Sequence, residues 1–194
     1  MNPLKSAWGT VISGFVIAVV IALLAGQTGT GYGRFVIWAH VIVGITWIGL
    51  LYYFNFVQVQ ALAEAANDEG GPGGAGITKY VAPRALLFFR WAALFTWLTG
   101  AFYLMVNGEL INAFTLNGDY GLRIGIGAWM GTIMLFNVWI LIWPNQKKIL
   151  GMVEASADQI GKAKSTALMA SRTNTMLSIP MLMSMVGAHY GFFM

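Results

Sequence analysis

The sequence predicts an all-α integral membrane protein with five transmembrane helices, an inside N-terminus, an outside C-terminus and one amphipathic cytoplasmic helix. Three observations lead to this fold class. Hydrophobic residues make up 58% of the 194 positions and charged residues only 9%, unlike the average soluble protein. Several apolar stretches reach the ~20 residues that a helix needs to cross a bilayer. Basic residues lie at the ends of these stretches, where membrane topology places them.

The first two predicted spans cover residues 7–26 and 34–58, with a short turn rich in glycine and threonine between them. The first apolar run is longer than the ~7–15 residues of a signal-peptide core. We therefore expect a retained helix. The second span contains His40, one of only two histidines in the chain.

The third and fourth predicted spans cover residues 84–106 and 121–143, after polar loops at 61–82 and 107–120. Pro83 suits the first turn of the third helix, because its missing N–H has no helical partner there. The fourth span begins with two overlapping pairs of glycines four residues apart, a pattern that lets another backbone, or a flat ring, approach closely. These glycines are Gly121, Gly125, Gly127 and Gly131.

The last part of the chain divides into two predicted helices. Residues 147–170 mix apolar and charged side chains at helical spacing, which is typical of a helix lying at the membrane interface. The fifth span is predicted at 173–193. Pro180 is expected to kink it.

The distribution of basic residues fixes the predicted topology. Inside segments contain an excess of Lys and Arg in most membrane proteins. With the N-terminus inside, the outside segments hold only Arg34 and Arg123. The other nine of the eleven basic residues then lie inside or just within an inner span end: Lys5, Lys79, Arg84, Arg90, Lys147, Lys148, Lys162, Lys164 and Arg172.

Composition excludes several kinds of chemistry. The chain has no cysteine, which excludes disulfides, thiolate metal sites, a thiol nucleophile and covalent attachment of a c-type haem. The basic residues form no block with interleaved aromatics, so a nucleic-acid partner is not expected. All seven acidic residues fall in loops, which leaves no intramembrane carboxylate for a proton relay.

The two histidines are predicted to lie at similar depth. His40 follows Arg34 by six residues, or ~9 Å below the outer end of its span at 1.5 Å per residue. His189 follows Thr173 by sixteen residues, or ~24 Å above the inner face by the same rise. In a hydrocarbon core of ~30 Å, both rings fall in the outer leaflet.

Two imidazoles at one depth on antiparallel helices can bind the iron of a b-type haem from opposite sides. Gly44 and Gly187 would let the porphyrin lie against backbone, and Trp47 would pack beside it. Arg34 and Arg123 are candidates to bind the propionates. The alternative is that each histidine forms a structural hydrogen bond to a neighbouring helix. A zinc site is disfavoured, because zinc usually takes three or four protein ligands.

Two further polar features have alternative interpretations. Asn55 and Gln58 share the helix face of His40, which predicts either a substrate path or hydrogen bonds between helices involving Asn137. Arg90 either binds an anion near the inner surface or extends its side chain towards the interface.

The sequence resembles the N-terminal membrane domain of bacterial membrane-bound urate hydroxylases, the urate oxidase N-terminal family. The resemblance extends over most of the chain and is carried by long strings of polar and aromatic residues, such as Phe136-Asn-Val-Trp-Ile-Leu-Ile-Trp-Pro-Asn-Gln-Lys147. The other resembling segments are His40–Gln58, Ala82–Trp91, Ser171–Pro180 and Gly187–Tyr190.

This resemblance implies a bacterial inner-membrane protein that oxidises urate to 5-hydroxyisourate and passes electrons to a fused cytochrome c domain. The present chain departs from that pattern, since it stops after the fifth span and has no Cys-x-x-Cys-His motif. The expected partner is therefore a separate cytochrome c or a larger respiratory complex. No catalytic residue follows from the resemblance. The alternative function is a non-catalytic accessory subunit of such a complex.

Overall fold

The computed structural model describes residues 2–25 and 31–191, and over these residues it is helical with no strand. Parts of three predictions lie outside the described residues: position 26 of the first span, most of the turn that follows it, and positions 192–193 of the fifth span. The chain divides into two units, residues 1–35 and 36–194.

The first unit contains a 3₁₀ turn, Pro3–Lys5, and helix α1, Ala7–Leu24. Ser6 caps α1, because its Oγ accepts a hydrogen bond from the Gly9 N–H at 2.9 Å. No residue of α1 is buried. A helix that is apolar on every side suits contact with lipid all round.

Seven further helices follow, and several join end to end. Helix α2 is Tyr32–Tyr53 and continues through a π-helical segment, Phe54–Gln58, into α3, Val59–Asn67. A second π-helical segment, Ile77–Val81, leads into α4, Ala82–Val106. Helix α5 is Leu110–Thr115. Helix α6 is Gly118–Phe136, and the π-helical segment Asn137–Ile142 joins it to α7, Trp143–Ile149. Helix α8 is Ala157–Tyr190.

Four helical stretches of the described residues are long and apolar enough to cross a membrane: Ala7–Leu24, Gly33–Asn67, Ile77–Val106 and Gly118–Ile149. The predicted class, an all-helical protein compatible with several membrane crossings, is confirmed at this level. Helix α8 is not one of the four. A fifth span, and the direction of the chain through the membrane, stay predictions.

Two of the π-helical segments precede a proline. Pro83 follows Ile77–Val81, and Pro144 follows Asn137–Ile142. A proline within a helical stretch removes one backbone hydrogen bond and crowds the preceding turn. The wider π turn accommodates this inside a continuous helix. Pro83 lies in the first turn of α4 as predicted, and the π-helical segment before it extends the helical stretch towards the N-terminus.

The prediction of a separate interfacial helix at 147–170 is wrong. Helix α7 ends at Ile149, residues 150–156 are not helical, and α8 then runs from Ala157 without a break to Tyr190. Ser156 begins α8 with a capping box, in which its Oγ accepts from the Gln159 N–H and the Gln159 side chain accepts from the Ser156 N–H. The predicted loop at 107–120 likewise contains the short helix α5.

The core of the second unit lies where α2, α4, α6 and α8 meet. Helices α2 and α4 are antiparallel, since His40 lies against Gly100, Gly44 against Thr96, and Phe54 against Phe89. The buried core residues shared among these helices include Trp47, Leu51, Phe89, Ala93, Met134, Val138 and Met181.

Candidate functional site

His40 is half-buried against the backbone of α4. Its Nδ1 lies 2.9 Å from the carbonyl oxygen of Thr96 and 3.3 Å from Oγ1 of Thr99. A carbonyl oxygen can only accept, so Nδ1 carries the proton. A Cβ added to Gly100 would lie only 2.9 Å from Cε1 of the ring. The ring therefore occupies space that any residue other than glycine would fill.

His189 lies near the end of α8 and its side chain is exposed. Its Nδ1 is 3.1 Å from the carbonyl oxygen of Met185, one turn earlier in the same helix. The ring meets Tyr120 edge-on at 6.0 Å between centroids and lies 6.5 Å from the Tyr103 ring. His189 thus reaches α4 through Tyr103 and α6 through Tyr120.

Both histidines therefore border one face of α4. His40 contacts residues 96, 99 and 100, and His189 lies beside residue 103. Positions separated by three, four and seven residues lie on one side of a helix. Seven residues correspond to ~10 Å along the axis. The contacts of His40 and His189 thus lie on neighbouring turns of α4, while their common depth in the membrane stays a prediction.

Gly44 and Trp47 continue the face of α2 that begins at His40. A Cβ on Gly44 would be 3.8 Å from the methyl group of Thr96, so α2 approaches α4 closely here. Trp47 is 1% exposed and packs in the core. Its indole N–H is buried and has no hydrogen-bond partner among the described residues. A buried donor without an acceptor is costly, and it marks a place where a bound group can contribute one.

The remaining predicted site residues occupy different surroundings. Gly187 is buried on α8, two residues before His189. Arg123 is half-exposed on α6, and its backbone carbonyl accepts a hydrogen bond from the Ser184 hydroxyl of α8. Arg34 is exposed and belongs to the first unit. Ser184 precedes His189 by five residues, so this hydrogen bond joins Arg123 to the end of α8 that carries His189.

The donor set of the two histidines fits a haem. In both rings Nδ1 faces a backbone carbonyl, and no described residue is a hydrogen-bond partner of either Nε2. Metal-binding histidines usually donate their second ring N–H to a carbonyl or carboxylate in this way. Within the described residues no group of three or more His, Asp or Glu side chains could hold a metal ion. His40 and His189 can therefore bind a cofactor that needs only two protein ligands.

Two polar side chains near the junction of α2 and its π-helical segment bond to α8. Asn55 donates to the Ser171 hydroxyl at 2.8 Å, and the Tyr52 hydroxyl lies 3.0 Å from Ser178 Oγ. Asn137, predicted as a partner of Asn55, instead donates to Asn174 at 2.8 Å. Bonds between helices are thus present, but α8 supplies the partners.

Two buried acceptors on α2 remain without donors. They are Asn55 Oδ1 and Gln58 Oε1, and neither has a partner in the described parts of the chain. Buried water often satisfies such amides, and the substrate path through them stays a prediction.

Arg90 stacks on an aromatic ring. Its guanidinium carbon lies 3.8 Å from the centroid of the Trp143 ring, within the range of a cation–π contact. This contact holds the Arg90 side chain against α7. It agrees better with the predicted extension towards the interface than with the predicted anion site.

Comparison with known families gives one match. Residues 110–194 match the family model described as urate oxidase N-terminal. Residues 110–194, somewhat less than half of the chain, are thus similar to the urate oxidase N-terminal family. No curated protein and no solved structure matches the chain.

The match to the urate oxidase N-terminal family covers α5 to α8 and includes His189, Arg123 and Gly187. Three of the five resembling segments fall inside it. His40 and the segments 40–58 and 82–91 lie before it, so their resemblance to the urate oxidase N-terminal family stays a prediction.

Sequence reasoning missed the residues that hold the two rings. Thr96, Thr99 and Gly100 support His40, while Tyr103 and Tyr120 border His189. The available signal was Thr-x-x-Thr-Gly in the middle of an apolar span, two hydroxyls and a small residue on one helix face. That pattern indicates a polar or close-packed partner on the adjacent helix.

Proposed function

We propose that this protein is a membrane-embedded b-type haem redox protein in which Nε2 of His40 and Nε2 of His189 would hold the iron. It exchanges electrons with an external cytochrome c and oxidises urate or a similar small reductant. The observation that carries the proposal is the shared arrangement of the two rings. Each ring borders α4, and each Nδ1 faces a backbone carbonyl, that of Thr96 on α4 for His40 and that of Met185 on α8 for His189.

The carbonyl contacts determine which nitrogen is available. When Nδ1 carries the proton, the lone pair of a neutral imidazole lies on Nε2. Nε2 then points away from the carbonyl that holds Nδ1. Thr96 fixes the His40 ring from α4, and Met185 fixes the His189 ring from within α8. Both rings are therefore oriented before a metal binds, which lowers the entropy lost on binding.

When bound, a haem with two imidazole ligands supplies one-electron redox chemistry without an open coordination position. The chain contributes the ligands, the glycines Gly44 and Gly187 beside them, and the cation Arg123 on α6. The indole N–H of Trp47, unpaired among the described residues, is available to an acceptor of the bound group or substrate.

Urate is proposed as a reductant on the strength of the family that covers residues 110–194. Residues 1–194 contain no Cys-x-x-Cys-His motif, so the cytochrome c of this proposal is external to them.

The test is the absorption spectrum of the protein purified in mild detergent. We expect a Soret band that shifts on reduction, and one b-type haem per chain by the pyridine haemochrome assay. His40→Ala and His189→Ala should each abolish or shift the band. Met176→Ala, an exposed position on α8, is the matched control and should leave it unchanged.

A colourless wild-type protein from haem-sufficient cells would refute the proposal and favour the accessory-subunit function. If the haem is present but both histidine variants keep the native spectrum, the ligand assignment is wrong. Reduction of the wild-type haem by urate, followed by oxidation with added cytochrome c, tests the direction of electron transfer.

A further inference from the structure

An open cleft of about 450 Å³ lies between α2 and the beginning of α4, away from the two histidines. Leu50 and Tyr53 form its α2 side, and residues 80–88 form the other side through Tyr80, Arg84 and Phe88. These positions recur every three or four residues on each helix, so each helix presents one continuous face to the cleft.

The cleft is polar at one end and apolar at the other. Because α2 and α4 are antiparallel, Tyr53 and Arg84 lie towards the same end, and Leu50 and Phe88 towards the opposite one. Four residues separate Arg84 from Phe88, or ~6 Å along the helix. The residues at one end thus include Arg84 and Tyr80, and those towards the other end are Leu50 and Phe88.

The polar end carries positive charge without a protein counter-ion. Arg84 is exposed, and the exposed Lys79 lies next to Tyr80, with Nζ 5.4 Å from that ring. The one ion pair found among the described residues joins Lys162 to Asp158, on α8. No described acidic side chain neutralises Arg84 or Lys79, so an anion from outside the chain can do so.

The surroundings place this cleft at the end of two candidate spans. Its walls belong to Gly33–Asn67 and Ile77–Val106, both apolar enough to cross a membrane. Phe88 is 53% and Val81 41% exposed in the isolated chain, and such surfaces face acyl chains in a bilayer. The positive end lies where the headgroups of the inner leaflet begin in the predicted topology.

We infer that this cleft binds one anionic glycerophospholipid of the inner leaflet. Its phosphate lies against the Arg84 guanidinium with Lys79 nearby, the hydroxyls of Tyr53 and Tyr80 donate to its phosphate or glycerol oxygens, and an acyl chain follows Leu50 and Phe88. A charge-assisted contact of this kind distinguishes an anionic headgroup from a zwitterionic one. The inference does not depend on the proposed haem.

Native mass spectrometry of the full chain, stripped of lipid in detergent, tests this inference. The probes are palmitoyl-oleoyl phosphatidylglycerol, palmitoyl-oleoyl phosphatidylcholine and oleate, each titrated separately. We expect one phosphatidylglycerol to bind more tightly than either other probe. Arg84→Gln should weaken that binding about fivefold, since one cation near a headgroup contributes roughly this factor.

Two further variants make the test specific. Lys164→Gln removes the same charge from an exposed site on α8 and should bind phosphatidylglycerol like the wild type. Ala85→Leu keeps every charge but narrows the cleft that Ala85 lines, and it should also lose binding. Arg84 is exposed, so its substitution tests the inference even if the Ala85 variant folds poorly.

Three results would overturn the inference. The first is phosphatidylglycerol binding to Arg84→Gln with wild-type affinity, or an equal loss in Lys164→Gln. The second is equal binding of phosphatidylcholine, which would show that the headgroup charge is not recognised. The third is Arg84-dependent binding of oleate as tight as that of phosphatidylglycerol, which would make the ligand a fatty acid.

Discussion

The two histidines are positioned by backbone atoms, and this makes their support sensitive to very small changes. His40 rests on the carbonyl of Thr96 and on the bare backbone of Gly100. A methyl group at position 100 would contact the ring at a distance that real side chains essentially never show. The ring would have to turn, and its Nδ1 would leave the carbonyl.

Gly100→Ala should therefore reduce the haem content of the purified protein severalfold. The matched control is Gly49→Ala, also in a long helix, where an added Cβ meets nothing within 4 Å. The control should keep its haem and gain up to about 1 kcal/mol of stability from the higher helix propensity of alanine. Haem content by the pyridine haemochrome assay and melting temperature are the two measurements. Equal haem content in both variants would show that the placement of His40 against α4 is not needed.

The buried amides form a second residue-scale feature with measurable energy. Asn174 is fully buried, accepts from Asn137 at 2.8 Å and donates to the carbonyl of Met134 at 3.0 Å. Such a pair joins α8 to the π-helical end of α6. Removing one member leaves the other buried without a partner, which costs more than the bond itself contributes.

Asn137→Leu and Asn174→Leu should each lower the free energy of unfolding by about 1–2 kcal/mol. The double variant should lose less than the sum of the two, because neither buried amide is then left without its partner. Thermal unfolding in detergent, followed by tryptophan fluorescence, provides the comparison. The control is Asn107→Ala, since Asn107 is exposed and bonds only within its own helix end. Strictly additive losses would contradict a coupling between Asn137 and Asn174.

At the scale of elements, the glycines of α6 serve two different neighbours. Gly121 and Gly125 lie against the backbone of α5, at Asn112 and Ala113. Gly127 and Gly131 face α8, at Ser184 and Met181. The sequence pattern predicted close approach, and close approach is present. The glycine pattern could not show whether protein or a flat ring lies against these two faces of α6. The answer depends on where α5 and α8 pack.

The two faces differ in how much room they leave. A Cβ at Gly125 would overlap the backbone carbonyl of Ala113, which cannot move without displacing α5, whereas a Cβ at Gly131 would lie 3.7 Å from the Met181 sulfur. Gly125→Ala should therefore destabilise the protein by about 1–3 kcal/mol. Gly131→Ala should be neutral or slightly stabilising. Equal melting temperatures for the two variants would show that α5 does not pack on α6 in this way.

Helix α8 shows what a sequence pattern can and cannot reveal about an element. Composition changes near Arg172, which led to the prediction of two helices. The buried stripe does not change: it passes from Ala163, Ala167 and Ala170 to Asn174 and Ser178 at one helical spacing. The helix follows that spacing. The π-helical segments were also missed, because one extra residue in a turn leaves no mark on hydropathy.

The number of times that the whole chain crosses the membrane depends on α8. Its second half is too polar on average to count among the four apolar stretches. Between residues 173 and 188, however, the polar residues Asn174, Ser178 and Ser184 are buried, and the exposed positions are Met176, Ile179, Leu182 and Val186. A helix that hides its polar side chains in the bundle and shows apolar ones outward can cross lipid without the cost that average hydropathy implies.

This argument predicts that the two ends of α8 lie on opposite sides of the membrane. The chain contains no cysteine, so each introduced cysteine is the only thiol. Three exposed positions serve as probes: Asn117 before α6, Glu154 before α8, and Tyr190 at its end. In intact cells, a membrane-impermeant maleimide should label Asn117→Cys and Tyr190→Cys, and it should label Glu154→Cys only after lysis. Labelling of Glu154→Cys and Tyr190→Cys on the same side would leave α8 without a crossing. His189 would then lie on the opposite side of the membrane from the predicted depth of His40, which is incompatible with one haem between them.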